Sequence, residues 1–415
     1  MNLLKYNRHW EKNFFYPYKK HRAIFHRLID VAANRQIVQI SGLRRTGKTT
    51  LLLQLINYFM DQRYDPFRLC YFTFDEERPT LEELLEEFSK QTHVNFNREK
   101  ICFFLDEIQK LPDFQNQLKV YYDLYPNIKF IISGSTSLFI KRKSQESLAG
   151  RIQSFNLMPL SFQEYLDFTD NLDILEKPLL FQQEIKNQFE IYLNSQFIES
   201  IPLDVHSKRE YFTGIIRKII FEDIPSTFSI SNPEALWQIV RMLAYQPGLI
   251  IDYRNLANDL GYSNKTISNY LYFLEESFLV KKLYNFSRNQ ITSEKKLKKY
   301  YLASTAFCWA LTDFLDTGRQ VENLIASLKN YQFFWRDAYH HEIDFISIEN
   351  ENILPIEIKY KNKIQPKDRK NMTIFLKKFS CQKGIIYTKN FEENRFSVGD
   401  SNLEIIEKPV FLLKA

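Results

Sequence analysis

Residues 42–49 read Gly42-Leu43-Arg44-Arg45-Thr46-Gly47-Lys48-Thr49 and fill the pattern G-x-x-x-x-G-K-[ST] completely. The flanks are the ones such a loop needs. An apolar run, Ile37-Val38-Gln39-Ile40, leads in, and Thr50-Leu51-Leu52-Leu53-Gln54-Leu55-Ile56 leads out with a helical pattern. A loop of this kind cradles phosphate oxygens with main-chain N–H groups at a helix N-terminus. The candidate nucleotide-binding residues are therefore Gly42, Arg44, Arg45, Thr46, Gly47, Lys48, Thr49 and Thr50. Lys48 would reach the β/γ-phosphates, and the Thr49 hydroxyl would hold Mg²⁺. Only 10 of 415 residues are glycine, so two at these positions make an accidental glycine turn the weaker explanation.

Outward from the loop, residues 36–160 alternate strand-like and helical runs, the pattern of a parallel α/β sheet. Strands are predicted at 36–41, 68–74, 101–105, 128–133 and 152–157, with a helix over 81–90. The run Ile101-Cys102-Phe103-Phe104-Leu105 ends in Asp106-Glu107. At that place an aspartate holds Mg²⁺, directly or through water, and the adjacent glutamate polarises the attacking water. Without the loop at 42–49, an acidic turn after a buried strand would be the plainer reading. One strand-like run, 68–74, intervenes in sequence between the loop strand and the Asp-Glu strand. This order and Glu107 favour the ATPase branch of P-loop folds, and the missing N-K-x-D signature favours ATP over GTP. Ser133-Gly134-Ser135-Thr136-Ser137 closes a further strand, where a hydroxyl such as that of Ser135 would sense the γ-phosphate. Arg151 is a candidate for approaching a phosphate, within its own chain or from a neighbouring subunit of an oligomer.

Four cysteines without a C-x-x-C pair support neither zinc nor disulfides and read as buried thiols. No run of 18 apolar residues and no apolar N-terminal stretch is found, so a soluble cytoplasmic protein without a membrane partner is expected. Net charge is +6, yet Lys281–Tyr301 holds seven Lys/Arg against Glu294, and Lys359–Lys378 holds eight against Asp368. Such stretches suit a polyanion such as double-stranded DNA, or are simply solvated surface. Tyr253–Leu260, the turn at Gly261 and a helix capped by Ser263 running to Glu276 precede a strand at 278–285, a winged-helix pattern. Lys265, Thr266, Ser268, Asn269 and Tyr272 would form its exposed recognition side, and the lysines at 281–282 and 295–299 its wing.

Farther on, a helix near 319–329, strands at 331–336, 342–348 and 353–359, and a basic helix at 366–379 make a small α/β unit. Asp344 and the pair Glu357-x-Lys359 lie on successive strands, with Glu357 and Lys359 on one face by the two-residue period. They resemble the D…E-x-K core of nucleases, in which carboxylates bind a metal and the lysine steadies phosphate charge. Salt-bridged strand ends are the alternative.

Gly42–Leu52, Leu105-Asp106-Glu107-Ile108-Gln109, Ser133–Ser137, Leu148-Ala149-Gly150-Arg151 and Pro159–Leu166 together resemble the prokaryotic AAA-type ATPases with a C-terminal DUF4143 domain. The similarity spans roughly residues 20–380. It implies an AAA-like ATPase core, a winged helix and a restriction-endonuclease-like C-terminal fold, and it matches Glu322 to the family's helical acid near Asp344 and Glu357. One departure is Leu43, where the family usually has proline; that residue is not a ligand. The expected organisation is an α/β AAA-like domain with a parallel sheet (1–165), a helical connection (166–250), a winged helix (251–318) and a small nuclease-like α/β domain (319–415). The expected function is Mg²⁺-dependent ATP hydrolysis coupled to DNA, or a nucleotide-gated switch for a protein partner with an inert nuclease-like domain.

Overall fold

The computed structural model describes residues 1–135, 148–313, 316–350, 352–398 and 403–413. By contact the chain forms two compact units, Met1–Met158 with Glu276–Phe278, and Pro159–Glu275 with Leu279–Ala415.

The first unit is built on a five-stranded, wholly parallel sheet. Its strands are β1 (Ile37–Ser41), β2 (Leu69–Thr73), β3 (Ile101–Asp106), β4 (Ile128–Gly134) and β5 (Ile152–Asn156). Their spatial order is β2-β3-β4-β1-β5. The strand between β1 and β3 is thus β4, while β2, which intervenes in sequence, lies at the edge. Helices α1 (Ile24–Ala32), α2 (Lys48–Asp61), α3 (Leu81–Thr92) and α4 (Phe114–Leu124) accompany the sheet. Strands covered on both faces need unbroken apolar runs, and every residue of β1 and β3 is buried. Helix α3 starts at a reciprocal capping box between Thr80 and Glu83, a device worth about 1 kcal/mol.

The N-terminal segment closes the exposed edge at β2. Asn7 bonds both main-chain groups of Tyr71, giving 3.1 Å to the carbonyl and receiving 2.6 Å from the N–H. The indole of Trp10 donates to the carbonyl of Leu69 at 3.0 Å. These side chains do what a neighbouring strand would do, leaving less open edge to template association.

The second unit opens with α5 (Phe162–Phe168), α6 (Gln182–Tyr192), α7 (Val205–Lys218) and α8 (Pro233–Tyr245). Then follow β6 (Leu249–Ile251), α9 (Tyr253–Leu260), α10 (Asn264–Glu276), β7 (Val280–Asn285) and β8 (Lys298–Leu302). Ser263 accepts the N–H of Thr266 at 3.1 Å, the expected cap of α10. Strand β8 pairs antiparallel with both β6 and β7. After α11 (Thr305–Leu311) and α12 (Thr317–Leu328) come β9 (Phe333–Arg336), β10 (Glu342–Glu349), β11 (Asn352–Lys359) and α13 (Lys370–Phe379). Strands β12 (Lys383–Thr388), β13 (Asn394–Ser397) and β14 (Glu404–Pro409) end the unit. A parallel β7/β9 contact joins all nine strands into one sheet, β13-β14-β12-β11-β10-β9-β7-β8-β6. Four free cysteines are buried, and no helix among the described residues is long and apolar enough to cross a membrane.

Candidate nucleotide site

The loop after β1 is shaped by two glycines. Gly42 has φ +153°, and a Cβ there would lie 2.4 Å from the carbonyl oxygen of Leu157. Gly47 takes the left-handed conformation, φ 98°, and starts α2. Lys48 is buried, and its ammonium donates to the carbonyls of Gly42 and Leu43 at 3.0 Å each. The loop is thereby curled around its own lysine. Thr46 Oγ1 donates to the Leu43 carbonyl at 2.8 Å. Arg22, which the sequence reading passed over, donates to the carbonyls of Thr46 at 2.9 Å and Met158 at 2.8 Å.

Asp106 closes β3 and is 3% exposed. A buried carboxylate is costly unless hydrogen-bonded, and this one is met by three hydroxyls. Thr49 Oγ1 donates to Oδ2 at 2.6 Å, Tyr71 OH to the same oxygen at 3.1 Å, and Ser133 Oγ to Oδ1. The Glu107 N–H adds a bond to Oδ1 at 3.2 Å. Glu107 itself is left-handed, φ 53°, a conformation costing a non-glycine residue roughly 1–2 kcal/mol. Its Oε2 accepts from Gln109 Nε2 and from Ser135 Oγ, the latter at 3.2 Å. Lys48, Thr49, Asp106, Glu107 and Ser135 thus lie on a connected set of strand ends and one helix start. Thr136 and Ser137 lie outside the described residues.

Arg151 is not brought there. Its carbonyl accepts the N–H of Ile37 at 2.7 Å, at the opposite end of β1 from the loop. A five-residue strand spans ~16 Å. The guanidinium instead forks onto Asp123, with both bonds 3.0 Å. The expectation that it approaches a phosphate within its own chain is not met, because β5 runs parallel to β1 and begins where β1 begins.

A second carboxylate cluster lies in the other unit. The register pairing Phe345 with Ile356 sets Asp344 across from Glu357, and Asp344 Oδ2 accepts the Ile358 N–H at 2.8 Å. Lys359 bonds Glu357 Oε1 at 2.6 Å, while Glu357 Oε2 is buried without a hydrogen-bond partner. Burial, then the neighbouring Asp344, push Glu357 up to about 8. Glu322 is raised by the same two causes. Lys299 joins this cluster from the other side, its ammonium meeting Glu322 and Glu342 at 2.7 Å each and Asp344 at 3.5 Å. Burial opposes the lysine's charge, but Glu322, Tyr301, Asp344 and Glu342 outweigh it and hold the ammonium well above its ordinary value.

Lys299 is therefore not part of a solvated basic wing, as its sequence neighbours suggest. The same correction applies to Lys281, whose amine donates to the Lys329 carbonyl, and to Lys282, paired with Glu275 at 2.6 Å. In the later stretch Lys361 pairs with Asp368, and Arg369 with Glu407. Lys363, Lys367, Lys370 and Lys377 remain exposed. A chain of mean positive charge spends much of it internally, since partners distant in sequence are adjacent in the fold.

Residues 34–166 match the family model described as AAA domain, 199–317 a domain of unknown function (DUF8612), and 321–407 the domain of unknown function DUF4143. The chain is 29% identical over 291 residues to the uncharacterized protein MJ1637 of Methanocaldococcus jannaschii, covering 64% of this chain and 59% of that one. It is 26% identical over 344 residues to an uncharacterized protein of Haemophilus influenzae, covering 77% and 82%. The chain thus spans about three fifths of the length of the first relative and more of the second. Among solved structures, that of the Aeropyrum pernix Orc1 protein in complex with DNA aligns at 14% identity and TM-score 0.33, covering 73% of this chain and 94% of that one.

Proposed function

From a chain that joins an AAA-type P-loop ATPase domain to a C-terminal DUF4143 domain, we propose that it binds Mg²⁺·ATP and hydrolyses it. The carrying observation is the contact of Thr49 with Asp106 at 2.6 Å beside the curled loop. A hydroxyl and a carboxylate in contact are hard oxygen donors of the kind Mg²⁺ takes, so Thr49 and Asp106 would hold the ion. When bound, it supplies charge neutralisation on the phosphates. The loop N–H groups hold the phosphate oxygens. Lys48 exchanges two neutral carbonyl acceptors for anionic oxygens, a stronger charge-assisted bond. Glu107 takes the proton of the attacking water at its carboxylate, oriented by Gln109 and Ser135.

The further reading is that ATP turnover is coupled to duplex DNA through α9 and α10. The order β6-α9-α10-β7-β8, with a short helix at Gln290–Lys295 between the last two strands, and the antiparallel β6-β8-β7 sheet support a winged-helix reading. Asn264, Lys265 and Asn269 are exposed on α10, with Thr266, Ser268 and Tyr272 half-buried beside them. The internal pairing of Lys281, Lys282 and Lys299 favours a second reading, a nucleotide-gated switch for a protein partner. Duplex binding followed across a salt series separates the two. DNA coupling predicts affinity falling steeply with salt, ATP turnover raised by duplex, and weaker binding in Lys265→Ala. Absence of binding at low salt removes the DNA reading.

A further inference from the structure

Lys299 enters the carboxylate cluster from β8, inside the segment matched to DUF8612, while Glu322, Glu342 and Asp344 belong to the segment matched to DUF4143. The lysine is 3% exposed. Its ammonium has three protons to give, and three carboxylates lie within 2.7, 2.7 and 3.5 Å. Tyr301 OH donates to the same Glu322 oxygen that receives Lys299, at 2.6 Å. The arrangement is roofed by main chain. A Cβ on Gly248 would come within 2.9 Å of Lys299 Cε and 3.1 Å of Glu322 Oε1, and φ +77° there suits glycine as well.

A nuclease-like fold implies a divalent ion held by Asp344 and Glu357 beside Lys359. The residues present do not fit that ion. Mg²⁺ or Mn²⁺ needs an open set of about six oxygens, several of them water. Here an ammonium already draws carboxylate oxygens of Glu322 and Glu342 onto itself at 2.7 Å, with Asp344 at 3.5 Å. Among the described residues, no group of three or more His, Cys, Asp and Glu side chains is arranged to hold a metal.

We propose that Lys299 is the resident cation of this cluster. Its ammonium holds Asp344, one of the two acids on which a nuclease would place its metal, so the C-terminal domain takes up no divalent ion there and does not cleave phosphodiesters. The cluster instead fastens β8 to the β9–β11 sheet and α12 as a buried ionic joint. Buried ion networks are costly to desolvate but punish the loss of any one member, which suits a joint that must form in one register.

The test is Mn²⁺ binding to the full chain, without nucleotide, in an Asp106→Asn background that silences the P-loop site. Wild-type Lys299 and Lys299→Arg should show no Mn²⁺ site that responds to Glu322→Gln. Lys299→Met should gain a Mn²⁺ site and lose it again on adding Glu322→Gln. A Glu322-dependent Mn²⁺ site in the chain that keeps Lys299 overturns the proposal, as does a folded Lys299→Met that gains none. Should Lys299→Met fail to fold, plasmid nicking in Mn²⁺ decides. Nicking by the otherwise unaltered chain that disappears in Lys359→Ala overturns the proposal, and no Lys359-dependent nicking upholds it. None of these readouts involves ATP, so their failure leaves the nucleotide reading untouched.

Discussion

Lys48 and Lys299 are both buried lysines beside buried acids, and they are used in opposite ways. Lys48 rests on two neutral carbonyls of its own loop, and Asp106 nearby is met by the hydroxyls of Thr49, Tyr71 and Ser133. These contacts are dipolar, of a kind that a charged ligand can replace. Lys299 rests directly on Glu322 and Glu342, and its charge is consumed by the protein. The same residue types serve a binding site when the lysine sits on loop carbonyls and the acid on hydroxyls, and a structural joint when they are paired with each other. Function should therefore respond at the first site and stability at the second.

The sharpest way to break this contrast is Glu107→Gln. ATP turnover should fall by about 10²–10⁴-fold with nucleotide affinity and thermal unfolding unchanged; an unaltered rate would reassign the base. Lys299→Met should do the reverse. Removing the cation from these partly buried acids should lower unfolding free energy by up to about 3–5 kcal/mol in denaturant titration, with basal ATP turnover per folded molecule unaffected. Equal stability would mean that the cluster is not a joint. The smallest effect is expected for Tyr71→Phe, which removes one of the hydroxyl bonds to Asp106. Loss of about 1 kcal/mol should weaken Mg²⁺-dependent nucleotide binding several-fold, and binding measured without Mg²⁺ should not change.

Much of the first site was legible because its parts are local. Gly42 to Thr49 is one contiguous loop, and Asp106-Glu107 announces itself by ending an apolar run. The strands of the first unit were found to within a residue or two, since parallel strands buried on both faces leave uninterrupted apolar signals. What was missed is non-local. Tyr71 and Ser133 reach Asp106 across 35 and 27 positions, and Arg22 reaches Met158 across 136. No spacing rule marks such contacts. For Arg151 the in-chain alternative fails because it lies just before a strand parallel to β1, at the far end of the sheet from the loop. Lys299 was read with its basic neighbours as surface, although its partners lie 23 and 43 positions away. The signal available was Lys298-Lys299-Tyr300-Tyr301-Leu302, a strand-like run without alternation, which sequence alone does not tell from an exposed edge.

The central claim is that the loop at 42–49 grips a nucleoside triphosphate. A calorimetric titration of ATP in Mg²⁺ into the unaltered chain and into Lys48→Ala tests it most directly. Saturable binding by the former, weakened by about a hundredfold or more in the latter (about 3 kcal/mol), is the predicted result. Equal affinity in the two proteins, or no binding by either, would contradict it.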